Sequence, residues 1–248
     1  TILAATFYQP NCEFKHFKYR DHECAVGFSV KKLFGKRFAL ALDLKQVKPG
    51  VKATIEYMYS EIEALGKLGE PFIYVTDSWD AMTCMAEVKA MKKQSSKIIK
   101  AANDKKDETA GTFGTEKARA GSRYLGKIQQ IIAETGSIVL IISQTRESMM
   151  SFGFGETKSR SGGKAMGFYT NIEMWLAKQE RIGKDPKRPI GGITEVRVSR
   201  SKVTGKPRRC QFPILYAYGI DNTRANIMFL LEEGVFKRQG GGDAKTWK

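Results

Sequence analysis

Two short apolar runs end in side chains able to handle a phosphate group. Pro71-Phe-Ile-Tyr-Val-Thr76 delivers Asp77 and Ser78, and Ser137-Ile-Val-Leu-Ile-Ile-Ser143 delivers Gln144, Thr145 and Arg146. An ionised carboxyl at the end of a buried strand is costly unless something engages it. Asp77 therefore either holds the water shell of a magnesium ion, with Ser78 beside it, or caps the N-terminus of a following helix. A third such edge is predicted at Asp21-His22-Glu23, where the strand-like Phe17–Arg20 stops. Ligands of α/β sheets bind outside the carboxyl ends of the strands, so three polar clusters at three strand ends make a candidate nucleotide pocket.

The elements that must position these residues follow from periodicity. Both apolar runs read as buried parallel strands, and apolar residues at Ile55, Met58, Tyr59, Ile62 and Leu65 recur at three and four, which is an amphipathic helix closed by Gly66 and Gly69. A helix over Glu116–Glu134 leads into the second run and supplies the alternation of an α/β sheet. Phe38–Leu42 reads as a further short strand. Downstream, Asn171–Ala177, Thr194–Lys202 and Cys210–Tyr218 read as consecutive strands with Gly- and Pro-containing turns, so the sheet is expected to finish antiparallel. Thr1–Tyr8 is helix-like but has no N-cap before it, which predicts a chain that begins partway through a helix. Two stretches resist regular assignment: Lys89–Lys106, with seven lysines and one aspartate, and Glu147–Lys164, where glycines alternate with Met, Phe, Ser, Arg and Lys. Long glycine-containing loops in compact domains are commonly functional.

Lys and Arg number 42 against 26 Asp and Glu, a net charge of +16 over 248 residues. That excess points to a polyanion, nucleic acid before an anionic membrane surface, with a merely solvated basic surface as the plain alternative. Arg197, Arg200, Lys202, Lys206, Arg208 and Arg209 crowd one predicted hairpin and suit phosphates. Length and ordinary apolar content exclude a disulfide-stapled mini-protein and a wholly disordered chain. The longest uncharged apolar stretch, Ser137–Ser143, is far short of the roughly 20 residues of a membrane-spanning helix. Cys12, Cys24, Cys84 and Cys210 lack C-x-x-C spacing and have only His16 and His22 to join them, so no zinc site is expected. Scattered thiols suit a reducing compartment, and the expected location is the cytoplasm of a bacterial cell or phage-infected host.

Five motifs then occur in a telling order: Ile142-Ser-Gln-Thr-Arg-Glu147, Phe152-Gly-Phe-Gly155, Ser161-Gly-Gly-Lys-Ala-Met-Gly-Phe-Tyr169, Glu195-Val-Arg-Val-Ser-Arg-Ser-Lys202 and Phe212-Pro-Ile-Leu-Tyr-Ala-Tyr-Gly-Ile220. Together they resemble the RecA family of recombinases, over a span from about Thr1 to Phe236. The resemblance implies one RecA-like ATPase core over residues 1–248. Its fold would be an α/β P-loop NTPase, a largely parallel sheet flanked by helices with antiparallel strands at the C-terminal side.

The resemblance also implies roles. Glu23 matches the carboxylate that activates the attacking water. Asp77 and Ser78 match the Walker B strand end, Asp77 holding Mg²⁺ through a water, and Gln144 matches the sensor of the γ-phosphate. A first DNA-binding loop region would occupy 83–115 and a second loop 147–164. DNA contacts would come from Arg119 and Ser122 on the helix after the first loop, and from Arg146, Met149, Lys158, Arg160, Ser161, Gly162, Gly163 and Lys164 around the second, with Met149 as an apolar wedge between bases. Arg200 and Lys202 match a basic pair that reaches the neighbouring protomer's nucleotide, where the family usually has two lysines.

The implied activity is a DNA-dependent ATPase that uses ATP and Mg²⁺, forms helical filaments on single-stranded DNA, and pairs and exchanges strands with double-stranded DNA. The rivals are a RecA-fold DNA helicase and a non-hydrolysing DNA-binding paralogue that acts as a scaffold. This sequence departs from the family in several places. The Gly-x-x-x-x-Gly-Lys-Thr phosphate loop is absent and would fall just upstream of Thr1, so a truncated core is expected. Val30 stands where the family offers an aromatic ring to adenine, Gly126 and Gly167 replace basic residues, and the first loop is unusually long.

Overall fold

A computed structural model of the chain describes residues 2–104, 115–147, 158–160, 163–185 and 187–235. The chain divides into two compact units, Ile2–Tyr169 and Thr170 onward.

The first unit opens with a short helix, α1 (Ile2–Phe7), and the strand β1 (His16–Asp21). Two single-turn helices, α2 (Val30–Phe34) and α3 (Lys36–Ala41), lead into β2 (Leu42–Gln46). The strand expected over Phe38–Leu42 is thus a helix up to Ala41. Ala39, Leu40 and Ala41 are strong helix formers, and β1 pairs with β2 only from Leu42 onward. A 3₁₀ turn at Val51–Ala53 precedes α4 (Ile55–Gly66), whose first turn is capped by the Thr54 hydroxyl accepting from Tyr57 N–H at 3.2 Å. Then come β3 (Phe72–Asp77), α5 (Met85–Asp104), α6 (Thr115–Thr135) and β4 (Ile138–Ile142). The lysine-rich stretch expected to be irregular is therefore helical through Asp104, since Lys, Ala, Met and Gln all favour the helix. A two-stranded antiparallel ladder of β5 (Thr145–Glu147) and β6 (Lys158–Arg160), and the helix α7 (Gly163–Tyr169), complete the unit.

Strands β2, β1, β3 and β4 lie side by side in that order, all parallel. Successive side chains of a strand point to opposite faces, and β3 fills both. Phe72 and Tyr74 pack with Ile55, Met58, Ile62 and Leu65 of α4 and with Leu125 and Ile128 of α6. Ile73 and Val75 pack on the other face with Phe17, Ala4 and Phe38. Helices α4 and α6 meet closely at Gly66, where a Cβ would come within 2.6 Å of Ile131 Cγ2. Beneath this layer Arg20, 2% exposed, is held by Glu61 through bonds of 2.7 and 2.9 Å and by Asp43 Oδ2 at 2.9 Å, while the Tyr74 hydroxyl donates to Glu61 at 2.9 Å. Burial would raise the Glu61 carboxyl, but the Arg20 guanidinium outweighs it and holds the carboxyl below its ordinary value.

The second unit is an antiparallel sheet ordered β10-β9-β8-β7, made of β7 (Ile172–Ile182), β8 (Gly191–Ser201), β9 (Arg208–Leu215) and β10 (Gly219–Ile220), followed by the helix α8 (Asn222–Glu232). The three strands foreseen here are present and antiparallel, though they form a sheet of their own instead of finishing the parallel one. Among the described residues no helix is long and apolar enough to cross a membrane.

Candidate active site

Strand register decides what meets at the carboxyl edge of the parallel sheet. Asp21 of β1 lies opposite Asp77 of β3, and Asp77 lies opposite Ile142 of β4. The three turns that leave this row, His22-Glu23, Ser78-Trp79-Asp80 and Ser143-Gln144, are therefore neighbours although they are far apart in sequence.

Their side chains converge on one carboxylate. Glu23 Oε1 accepts from the Ser78 hydroxyl at 2.5 Å and from the Gln144 side-chain amide at 2.8 Å. Ser78 is buried, whereas Glu23 and Gln144 face solvent at the rim. The turn that presents Glu23 is built by Asp21, whose carboxyl oxygens accept the backbone N–H groups of Glu23 at 3.2 Å and Val26 at 2.9 Å. Cys24 closes this turn in the left-handed region at φ 53°. Such a conformation costs a non-glycine residue on the order of 1 kcal/mol and persists only where its surroundings enforce it.

Asp77 ends β3 in the same row. The Tyr19 hydroxyl donates to its Oδ2, and its backbone carbonyl accepts from His22 N–H at 2.6 Å. Burial and the Asp77 carboxylate together push the Tyr19 phenol up, so it stays a donor. His22 is buried, and neither ring nitrogen has a hydrogen-bond partner among the described residues. Burial pushes its imidazole down to about 4, so at neutral pH it adds no charge beside Glu23. Magnesium keeps several of its waters and binds through one or two carboxylates plus phosphate oxygens. The single carboxylate of Asp77, steadied at Oδ2 by Tyr19 and flanked by Ser78, fits such an outer contact.

The structure brings together Glu23, Asp77, Ser78 and Gln144 from the nucleotide set. Arg119 and Ser122 lie on the exposed side of α6, where Arg119 pairs with Glu116 at 2.9 Å and the Ser122 hydroxyl donates to the Ala118 carbonyl at 3.0 Å. Arg146 lies on β5 and Lys158 and Arg160 on β6, the ladder that closes the base of the expected second loop. Gly163 and Lys164 open α7. Met149, Ser161 and Gly162 lie outside the described residues. Arg200 on β8 and Lys202 just after it belong to the second unit, where both are exposed. On the same hairpin Arg197 sits directly opposite Arg209, and Arg208 is next to it. Like charges paired across a ladder are unfavourable, and the Glu232 carboxylate of α8, 4.0 Å from Arg209 Nε, offsets part of this pairing.

Two residues escaped sequence reasoning. Tyr19 meets Asp77 only because β1 and β3 pair in parallel with this register, and the alternation of β1 alone does not reveal it. Asp80 holds the start of the Gln144 turn, its Oδ2 accepting from Gln144 N–H at 2.8 Å. Its place three residues after Asp77, at the end of a buried strand, was the one available signal.

Residues 62–221 match the family profile of the RecA N-terminal domain. The chain is 27% identical over 201 residues to Protein RecA of Chlorobaculum tepidum, a match covering 81% of this chain and 53% of that protein. It is 32% identical over 123 residues to Protein RecA of Tropheryma whipplei, covering 50% of this chain and 28% of the relative. Protein RecA of Acidothermus cellulolyticus is also 32% identical over 123 residues, covering 50% and 35%. The chain thus spans between 28% and 53% of the length of these relatives.

Proposed function

The chain belongs to the RecA family, and from that premise we propose that it is the core of an ATP-dependent DNA recombinase, which binds ATP and Mg²⁺, assembles as a helical filament on single-stranded DNA, and exchanges strands with double-stranded DNA. The observation that carries this reading is the Glu23 carboxylate anchored by Ser78 and Gln144 beside Asp77. A carboxylate so placed can take a proton from a water that attacks a phosphoryl group. Both anchoring bonds fall on Oε1, so Oε2 is the atom assigned to the proton. Ser78 and Gln144 fix the direction in which that oxygen faces, and Asp21 fixes the backbone that carries it. Asp77, with its Oδ2 held by Tyr19, would hold Mg²⁺ through a water. When bound, the ion would neutralise charge on the phosphates.

The DNA half of the reading rests on charge and placement. The net charge of +16 supplies the attraction, and Arg197, Arg208 and Arg209 stand exposed on one hairpin where phosphates can approach them. Arg119 and Ser122 on α6, and the ladder of β5 and β6 with Arg146, Lys158 and Arg160, border the two segments assigned to DNA. Arg200 and Lys202 are assigned to the nucleotide of the neighbouring protomer. The cytoplasm is the compartment this activity calls for.

The test uses the full-length protein that carries this chain. Incubated with ATP, single-stranded DNA and a homologous labelled duplex, it is expected to form joint molecules and then displaced strand. Duplex unwinding without need of homology would identify the helicase alternative. DNA binding with neither pairing nor hydrolysis would identify the scaffold.

A further inference from the structure

Between Ser78 and α5 lie Trp79 and Asp80, which are bonded in two directions at once. Toward the rim, Asp80 Oδ2 accepts from the backbone N–H of Gln144 at 2.8 Å and from the Ser143 hydroxyl at 3.2 Å, while Trp79 N–H donates to the Ile142 carbonyl at 2.8 Å. Toward the helix layer, Lys117 Nζ on α6 donates to the Trp79 carbonyl at 2.7 Å and the Asp80 carbonyl at 3.3 Å. The same ammonium lies 5.7 Å from the centroid of the Trp79 ring. That ring is 1% exposed and rests on Gly121, where even a Cβ would come within 3.2 Å of Cζ2. Its indole N–H has no acceptor among the described residues, so packing and the Lys117 charge hold the ring against α6.

Two consecutive residues thus tie the first turns of α6, which carry Arg119 and Ser122, to the second residue after β4. That residue is Gln144, whose side-chain amide holds Glu23. We propose that Asp80 is a positioning residue for hydrolysis, fixing the Gln144 backbone so that its amide meets Glu23, and that the bridge Lys117–Trp79–Asp80 passes a movement of α6 to that contact when nucleic acid engages the helix. This rests on the reading of α6 and the 147–164 segment as DNA-contacting. The physical basis is direct. A carboxylate that receives a backbone N–H at a strand exit satisfies a donor that neither β4 nor β5 uses, and it fixes the direction in which the next side chain leaves. Lys117 bonds to the main-chain carbonyls on both sides of the Asp80 Cα, so a shift of α6 moves the backbone that carries Asp80.

In the full-length protein, kcat and KM for ATP are measured with and without single-stranded DNA for wild type, Asp80→Ala, Asp80→Asn and Lys117→Met. Asp80→Ala is expected to keep KM for ATP within about twofold and to lose most of the DNA stimulation of kcat, a fall of roughly 5- to 150-fold for a typical coupling between sites. Asp80→Asn retains an acceptor oxygen and is expected to restore most of the stimulation, a rescue that a general folding defect would not show. Lys117→Met is expected to lower the stimulation ratio from the other side of the bridge. Wild-type stimulation in Asp80→Ala would overturn the inference and leave the recombinase reading standing. So would an Asp80→Asn variant as impaired as Asp80→Ala. A wild-type protein that binds ATP but shows no response to DNA would instead remove the DNA-contacting reading, and this inference with it.

Discussion

The Ser78 hydroxyl donates to Glu23 Oε1 at 2.5 Å, joining the turn after β3 to the turn after β1 across 55 positions of sequence. Ser78 is 1% exposed, so this donor is fixed by packing before any ligand arrives. Gln144 brings a second donor to the same oxygen from the solvent-exposed rim. One anchor is rigid and the other stands at the start of the second loop, an arrangement in which loop position can alter the orientation of the carboxylate.

Gln144→Ala removes the exposed anchor and keeps the buried one. DNA and nucleotide are each expected to bind nearly as in wild type, while the enhancement each gives the other disappears, because coupling between two ligands is reciprocal. DNA affinity measured with and without a non-hydrolysable ATP analogue checks this, and an undiminished nucleotide effect would remove Gln144 from the coupling.

Glu61→Ala leaves the Arg20 charge buried with only Asp43 as a carboxylate partner, and breaking such a pair costs about 3–5 kcal/mol. The melting temperature of the variant at neutral pH should fall accordingly. Acid acts on the same pair. The Glu61 carboxyl is held below its ordinary value in the folded chain, so its contribution is present above the unfolded carboxyl range and is lost as pH falls through the folded value. His22 adds an earlier stage: buried and pushed down to about 4, it stays neutral while the unfolded chain takes up a proton near pH 6.5, so stability declines from there toward pH 4. Thermal melts taken from pH 8 down to pH 2 should show the His22 decline first and the Glu61 loss below it, and His22→Gln should flatten the upper stage.

Binding to single-stranded DNA should weaken steeply with salt, with log affinity falling by about 0.7 per phosphate contact for each tenfold increase in salt. Arg197→Ala is expected to reduce that slope by about one contact's worth without changing sequence preference. Fluorescence titration of a labelled oligonucleotide at several salt concentrations reads both, and a flat salt response would reject phosphate-dominated binding.

Arg200 and Lys202 are assigned to the nucleotide of the next protomer. Protomers carrying Arg200→Ala with Lys202→Ala, mixed with Glu23→Gln protomers, should therefore recover part of the ATPase at mixed interfaces. If no mixture exceeds the sum of its components, the two residues do not act across a subunit boundary.

Much of this architecture is legible in the sequence. β3 announces itself as a near-continuous apolar run because it is buried on both faces, and α4 shows as a three-and-four repeat because only one of its faces is buried. β4 carries the same apolar run but, against the expectation of a second buried strand, lies at the edge of its sheet with Ile138 and Ile142 exposed. Glu23, Asp77 and Gln144 stood out as polar residues at the ends of such runs. Phe38–Ala41 did not, since four apolar residues carry no period that separates helix from strand. The lysines of α5 suggested a loop by their charge, although lysine is a good helix former. Tyr19, Asp80 and Lys117 matter through strand register and helix packing, which no local pattern encodes.

The central claim is that Glu23 is the general base of an ATPase whose binding surfaces do not depend on it. The direct measurement is the rate of ATP hydrolysis by Glu23→Gln in the full-length protein with saturating single-stranded DNA, beside the affinities for ATP and for DNA. A drop of about 10²–10⁴ in rate with both affinities preserved is the predicted result, the usual contribution of a positioned base. Turnover close to wild type would place the base elsewhere and contradict the account.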